Sequence, residues 1–158
     1  MDACVVLMRH GTAHKHGNSD FLRELSAQGH AEATQQGTIL HALDLGLLQV
    51  IASPLVRTEQ TGMHVAECLG ISCITDPRLA PSQGMAAMLQ VLRSHVLIVA
   101  HQPDVGDFLG YLLTGDVRAV AEFLPGTVAV VGFTGAVRPG GGILRDLLPP
   151  TGAVLQGC

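Results

Sequence analysis

Aromatic and charged residues are both scarce in this chain of 158 residues. It has no tryptophan, one tyrosine and four phenylalanines, and only 14% of its residues are charged. Because 47% of the residues are hydrophobic, the composition excludes an intrinsically disordered chain and predicts a core of aliphatic side chains. The net charge of −4 lacks the basic excess that binding to a nucleic-acid backbone requires. We therefore expect no nucleic acid among the partners.

The four cysteines lack the spacing of a CxxC pair or of a zinc site. They are Cys4, Cys68, Cys73 and Cys158. Reduced thiols in a cytoplasmic protein are the expected state. The sequence also lacks a signal-peptide pattern and any apolar stretch near the ~20 residues that span a bilayer. A membrane is therefore not an expected partner.

Strand patterns and helix patterns alternate along the chain. The predicted strands are residues 3–8, 49–52, 71–75, 95–100, 127–133 and 142–148. The predicted helices run from the cap residue Ser26 to about 44, with Gly46 ending the segment, and over 55–69, 85–93 and 103–113. This alternation predicts a single α/β domain with a mostly parallel central sheet and helices on both faces. We expect the domain to span residues 1–148, with an antiparallel hairpin at its end and residues 149–158 as a loose C-terminal tail.

Reactive side chains follow three of the predicted strands. Arg9 and His10 end the first strand, Arg57 follows the second, and His101 ends the fourth. In open α/β sheets, ligands bind beyond the carboxyl ends of the strands. We therefore expect these side chains to converge on one pocket.

Histidine among arginines is a combination suited to phosphoryl transfer. A neutral imidazole such as that of His10 can attack phosphorus and form a covalent intermediate. The transferring group carries negative charge on its oxygens, which Arg9 and Arg57 can hold in bidentate contacts. A protonated His101 is expected to donate a further hydrogen bond.

Three segments of the chain together resemble a known family. Residues 8–11 (MRHG) match the R-H-G signature of the histidine phosphatase superfamily. Residues 53–61 (SPLVRTEQT) resemble its S-P-x-x-R-x-x-Q-T segment, and residues 101–103 (HQP) resemble its second histidine with a following proline. The motifs occur in the family's order, and the resemblance covers roughly residues 4–113. It implies a phosphoglycerate-mutase-like fold and a phosphatase that forms a phosphohistidine intermediate, without a metal or other cofactor.

Within the superfamily, the sequence is most similar to SixA-type phosphohistidine phosphatases. These have an R-x-L-T-like segment before the first helix, which residues 23–26 (RELS) match. The resemblance thus makes Arg23 a candidate substrate-binding residue beside Arg9, Arg57 and His101, with His10 as the nucleophile. Residues 70–94 are too few for the lid of larger relatives. An open pocket suits a phosphorylated side chain on another protein.

The sequence departs from the family at both usual positions of a general acid. Pro81 stands where many relatives have a glutamate, and Gln102 stands where others have an aspartate. An alkoxide leaving group needs a proton, whereas imidazole, with a pKa near ~6.5, leaves more readily. Phosphohistidine is therefore the favoured substrate, with Asp20, Asp104 and Asp107 as possible replacement acids.

Two other functions are compatible with the sequence. One is a broader phosphomonoesterase acting on small phosphate esters, and the other is a non-catalytic phosphate-binding regulatory module. His14 and His16 follow His10 at a spacing that suggests metal ligands. They lie in a polar loop without cysteines or carboxylates at site spacing, so we interpret them as surface histidines.

Overall fold

The computed structural model describes residues 1–151. The strands are β1 (Ala3–Arg9), β2 (Gln49–Ala52), β3 (Ser72–Thr75), β4 (Val96–Ala100), β5 (Val128–Phe133) and β6 (Gly142–Leu148). The helices are α1 (Ala27–Leu43), α2 (Val56–Leu69), α3 (Met85–Val91) and α4 (Asp104–Thr114), with a short 3₁₀ turn at Pro77–Leu79.

The six strands form one mixed sheet in the order β3-β2-β4-β1-β5-β6. Strands β3, β2, β4 and β1 are parallel, whereas β5 pairs antiparallel with both β1 and β6. The predicted mostly parallel sheet with a terminal hairpin is therefore confirmed. Because β4 lies between β1 and β2, the carboxyl ends of all three meet at the same edge of the sheet.

Helices cover both faces of this sheet, as the sequence predicts. On one face, side chains such as Leu40 of α1 and Val65 of α2 pack on the strands. On the other face, Met88 of α3 and Phe108 of α4 pack on the opposite side chains of the same strands. The central strands β1 and β4 are buried along almost their whole length, which explains their continuous apolar sequences.

The helix boundaries follow recognisable capping chemistry, with one difference from expectation. The Ser26 side chain accepts a hydrogen bond from the Gly29 backbone N–H at 3.2 Å and caps α1 as predicted. The helix ends at Asp44, which has a left-handed backbone (φ 47°), rather than at Gly46. Aspartate is among the few residues that adopt this conformation at modest cost, so the end comes earlier than the glycine suggests.

The connection between β3 and β4 contains only the 3₁₀ turn and the seven-residue helix α3. No lid is inserted in it. The boundary at residue 148 stays a prediction, and residues 152–158 of the predicted tail lie outside the described residues. Among residues 1–151, no helix has the length and hydropathy to cross a bilayer.

Candidate active site

The segments that leave β1, β2 and β4 surround a cavity of about 370 Å³ at the carboxyl edge of the sheet. Its lining residues come from these segments, from the loop before α1, from the connection between β3 and α3 and from the loop before β5. They are Arg9, His10, Thr12, Ala13, Asp20, Arg23, Arg57, Pro81, His101, Gln102 and Pro125. The five residues predicted to bind or transform substrate thus all lie on one cavity.

The His10 ring is held in one orientation. Its Nδ1 lies 2.7 Å from the Gly11 carbonyl oxygen, and its Nε2 lies 3.3 Å from Nε of Arg57. The carbonyl can only accept, so Nδ1 carries the proton and the lone pair of Nε2 accepts from Arg57. Burial, followed by the charges of Arg57 and Arg9, lowers the pKa of His10 to about 4, although the Gly11 hydrogen bond opposes this shift. The ring is therefore neutral at neutral pH, which is the state that a nucleophile needs.

The backbone that carries His10 packs closely against α1 and α2. A Cβ atom on Gly11 would lie 2.7 Å from the Gly29 carbonyl oxygen, so only glycine fits there. The Gly11 N–H donates to Oγ1 of Thr61 at 3.1 Å, and the Thr12 N–H donates to Glu32 at 2.8 Å. These contacts fix the peptide whose carbonyl orients the nucleophile candidate.

Arg57 and Arg23 share the carboxylate of Asp20. Nη2 of Arg57 lies 3.3 Å from one carboxylate oxygen, and Nε of Arg23 lies 2.9 Å from the other. Nη1 of Arg57 also donates to the Asp20 backbone oxygen at 2.8 Å. Slight burial raises the pKa of Asp20, but the charge of Arg57 and the hydrogen bond from Arg23 outweigh it and hold this pKa below its usual range. Asp20 is therefore ionised at neutral pH while these contacts hold.

Arg9 is anchored from the opposite side of the cavity. Its Nη1 donates to the Phe123 carbonyl oxygen at 2.7 Å, in the segment between α4 and β5. Phe123 is fully buried in the core, so this carbonyl is a fixed point. The Nε of Arg9 is buried without a hydrogen-bond partner among residues 1–151.

His101 lies beside His10, with ring centroids 5.4 Å apart. Its Nε2 is 2.7 Å from Oγ of Ser53, at the end of β2. Burial, followed by the charges of His10 and Arg57, lowers the pKa of His101 to about 3. The ring is thus neutral at neutral pH in these surroundings, whereas the protonated form expected from the sequence is that of a ring beside a phosphoryl group. A bound phosphate dianion would raise this pKa by favouring the imidazolium.

Other residues considered at the sequence level lie elsewhere. Asp104 and Asp107 do not line the cavity, so they are poorly placed to replace the missing acid. His14 and His16 line a separate hollow that adjoins the cavity at Arg23. Pro81 and Gln102, which the resemblance aligns with the usual acids, do line the cavity.

Several supporting residues are not singled out by the sequence. Ser53 and Thr61 lie within the 53–61 segment, and the motif itself was the signal that could have identified them. Phe123 contributes through its backbone carbonyl, and no sequence pattern marks it. Glu32, in the middle of α1, looks like a surface residue but accepts two hydrogen bonds from Thr12, each at 2.8 Å.

The fold and this site define a class of enzyme. The site contains two buried histidines and three arginines at the carboxyl edge of a mostly parallel sheet. These side chains suit a hydrolase that acts on phosphate groups. The sequence model of the histidine phosphatase superfamily (branch 1) matches residues 5–83. The chain belongs to this superfamily, and it is a phosphatase.

Individual relatives agree with this assignment. The chain is 31% identical over 121 residues to phosphohistidine phosphatase SixA of Escherichia coli (strain K12), covering 71% of this chain and 75% of that protein. It is 27% identical over 145 residues to a SixA homolog of Haemophilus influenzae, covering 79% and 85%. A solved structure of the protein histidine phosphatase SixA complexed with tungstate superposes with a TM-score of 0.80 at 29% identity, covering 93% of this chain and 97% of that one.

Proposed function

We propose that this phosphatase removes the phosphoryl group from phosphohistidine on other proteins, with His10 as the nucleophile. The carrying observation is the state of His10: a neutral ring whose Nδ1 proton is bound by Gly11 and whose Nε2 lone pair lies in the cavity beside Arg57. The similarity to SixA, whose solved structure holds the oxyanion tungstate, supports a phosphate position in the same cavity.

The first step transfers the phosphoryl group to the enzyme. Nε2 of His10 attacks phosphorus while the bond from phosphorus to the substrate nitrogen breaks. The electron pair of that bond stays on the leaving ring, whose other nitrogen carries a proton, so the ring leaves as neutral imidazole. Arg9, Arg57 and His101 hold the phosphoryl oxygens, whose charge grows in the transition state. The binding of Arg57 to phosphate releases the lone pair of His10 that its Nε–H otherwise holds.

The second step returns the enzyme to its starting state. A water molecule attacks the phosphorus of phosphohistidine 10, the bond from phosphorus to Nε2 breaks, and the pair returns to the ring. Inorganic phosphate leaves, and the proton lost by the water passes to phosphate or solvent. Both steps expel an imidazole, which leaves without the strong general acid that an alkoxide requires.

The absence of a suitable acid supports phosphohistidine over phosphate esters. Pro81 and Gln102 have no acidic proton, and the pairing of Asp20 with Arg57 and Arg23 favours its ionised form until a phosphoryl group takes those contacts. An ester of serine would have to leave as an alkoxide, with a pKa far above that of imidazole. The side chains at the rim thus suit a leaving group that needs little protonation.

The test is a panel of substrates offered to one enzyme preparation. We expect a phosphohistidine protein to be cleaved with a much higher kcat/KM than phosphoserine peptides or small phosphate esters. Equal or faster cleavage of the esters would instead establish a broader phosphomonoesterase. Phosphate binding without turnover of any substrate would establish a regulatory module.

A further inference from the structure

The Asp20 carboxylate lies against the cationic side chains that face the cavity. It is 67% exposed, so burial does not force it to pair. It nevertheless contacts both Arg57 and Arg23, at 3.3 and 2.9 Å. A phosphoryl group in this cavity needs those same N–H donors. The carboxylate and the substrate therefore compete for one set of hydrogen bonds.

The contacts of Arg57 show which of its donors Asp20 occupies. Its Nε donates to His10, its Nη1 to the backbone oxygen of Asp20, and its Nη2 to the Asp20 carboxylate. Each guanidinium nitrogen thus has a partner before any phosphate arrives. Within residues 1–151, two of its five N–H groups, one on each Nη, remain free, so a phosphate that also takes the Nε–H or the N–H groups now on Asp20 must exchange those bonds.

We propose that Asp20 is a built-in competitor for the phosphate position, whose carboxylate yields to the substrate and weakens the retention of product phosphate. This inference rests on the proposed function, because it places phosphate between Arg57 and Arg23. Phosphate carries up to two negative charges and a carboxylate carries one, so phosphate displaces the carboxylate from the arginines. Repulsion from the charge of Asp20 then lowers the affinity of the site for phosphate. The role differs from that of a proton donor, since Asp20 acts only as an ion.

The backbone at Asp20 allows a clean substitution. Its carbonyl oxygen accepts from Arg57 at 2.8 Å independently of the side chain, so the loop keeps this anchor in Asp20→Asn. Glu24 offers a matched control, because it is an exposed carboxylate in the same loop whose side chain contacts Gln60. Glu24→Gln removes the same charge from a side chain that makes no ion pair with Arg57 or Arg23.

Calorimetric titration with inorganic phosphate tests the proposal in the wild type and both variants. We expect Asp20→Asn to tighten the Kd for phosphate by roughly 3- to 10-fold, and Glu24→Gln to change it by less than about twofold. If Asp20 merely orients the arginines, Asp20→Asn weakens phosphate binding, and the proposal fails. It also fails if the affinity is unchanged, as a purely proton-donating role would require.

The outcome is separable from that of the proposed function. Tighter binding in Asp20→Asn together with no turnover of phosphohistidine by the wild type would overturn the proposed function and keep the competitor role. Turnover of phosphohistidine with unchanged phosphate affinity in Asp20→Asn would overturn the competitor role alone. If none of the three proteins binds phosphate, the competitor role is wrong, whereas the proposed function is still decided by turnover of phosphohistidine.

Discussion

Two pairs of histidine rings lie in contact in this molecule, one in the cavity and one between α1 and α2. The centroids of His10 and His101 are 5.4 Å apart, and those of His30 and His64 are 5.0 Å apart. Nδ1 of His30 and Nε2 of His64 even lie within hydrogen-bond distance, at 2.7 Å. By ring distance alone, the second pair is the closer one.

The surroundings of the two pairs differ. His10 and His101 are 8% and 4% exposed and lie among arginines, with a carbonyl and a hydroxyl orienting the rings. His30 and His64 are partly exposed on the helix surface and contact each other. Burial, followed by the charge of His30, lowers the pKa of His64, but no fixed cation is among the causes. Reactivity therefore depends on burial, orientation and nearby cations rather than on the proximity of two imidazoles.

Removing one histidine from each pair tests whether the two pairs differ in function. We expect His10→Ala to abolish phosphatase turnover, because it removes the ring nitrogen that we propose as the nucleophile. His64→Ala should retain turnover within about twofold of the wild type. Steady-state assays measure both, and trapping acid-labile phosphate on the wild type but not on His10→Ala identifies the intermediate. Wild-type turnover in His10→Ala would refute the proposed nucleophile.

The arginines provide the next largest effect. Arg57→Ala should lower turnover by about 10²–10³-fold, by analogy with the loss of one donor to a developing oxyanion. Arg78 supplies the matched control, since it also pairs with an aspartate, Asp76, but on an exposed surface. Arg78→Ala should leave turnover unchanged. Equal losses in the two variants would mean that Arg57 acts through the fold rather than through substrate.

Much of the site could be predicted because it depends on local sequence. Strands that end in Arg9-His10 and in His101 are visible as apolar runs followed by polar residues, and Arg57 follows a Ser-Pro helix start. The strand order could not be predicted, because it is set by long-range packing that leaves no local pattern.

Contacts between distant segments of the chain could not be predicted from the sequence either. The pairing of Asp20 with Arg57 joins residues 37 positions apart, and the Phe123 carbonyl reaches Arg9 across 114 positions. The neutral state of His101 also depends on burial that only the assembled cavity creates. A sequence motif thus identifies the side chains of the site, whereas their charge states depend on the folded structure around them.

The pH dependence of stability gives a third test of the comparison. His10 and His101 have folded-state pKa values of about 4 and about 3, below the value near ~6.5 of an unfolded chain. As pH falls below ~6.5, the unfolded state takes up protons that the folded state does not, so stability is highest above this pH and falls toward pH ~4. Each ring contributes at most about 1.4 kcal/mol per pH unit.

Urea unfolding between pH 8 and 4.5 measures this slope. His101→Asn, which cannot titrate, should flatten it more than His64→Asn, whose ring is partly exposed. The three proteins are compared at each pH, so that the titration of other groups cancels. An unchanged slope in His101→Asn would show that this ring is not held neutral in the fold.

The smallest expected effect belongs to the hydrogen bond between His30 and His64, which joins α1 to α2. A neutral hydrogen bond contributes about 1 kcal/mol, so His30→Ala and His64→Ala should each lower the free energy of unfolding by roughly that amount. A double-mutant cycle should give a coupling energy of about 1 kcal/mol between the two residues.

The exposed His41 on the same helix α1 serves as a control for the loss of a histidine as such. If stability falls while turnover stays intact, the His30–His64 pair contributes to packing alone. A tenfold loss of turnover would instead make this pair part of the active site, and the two histidine pairs would no longer differ in function.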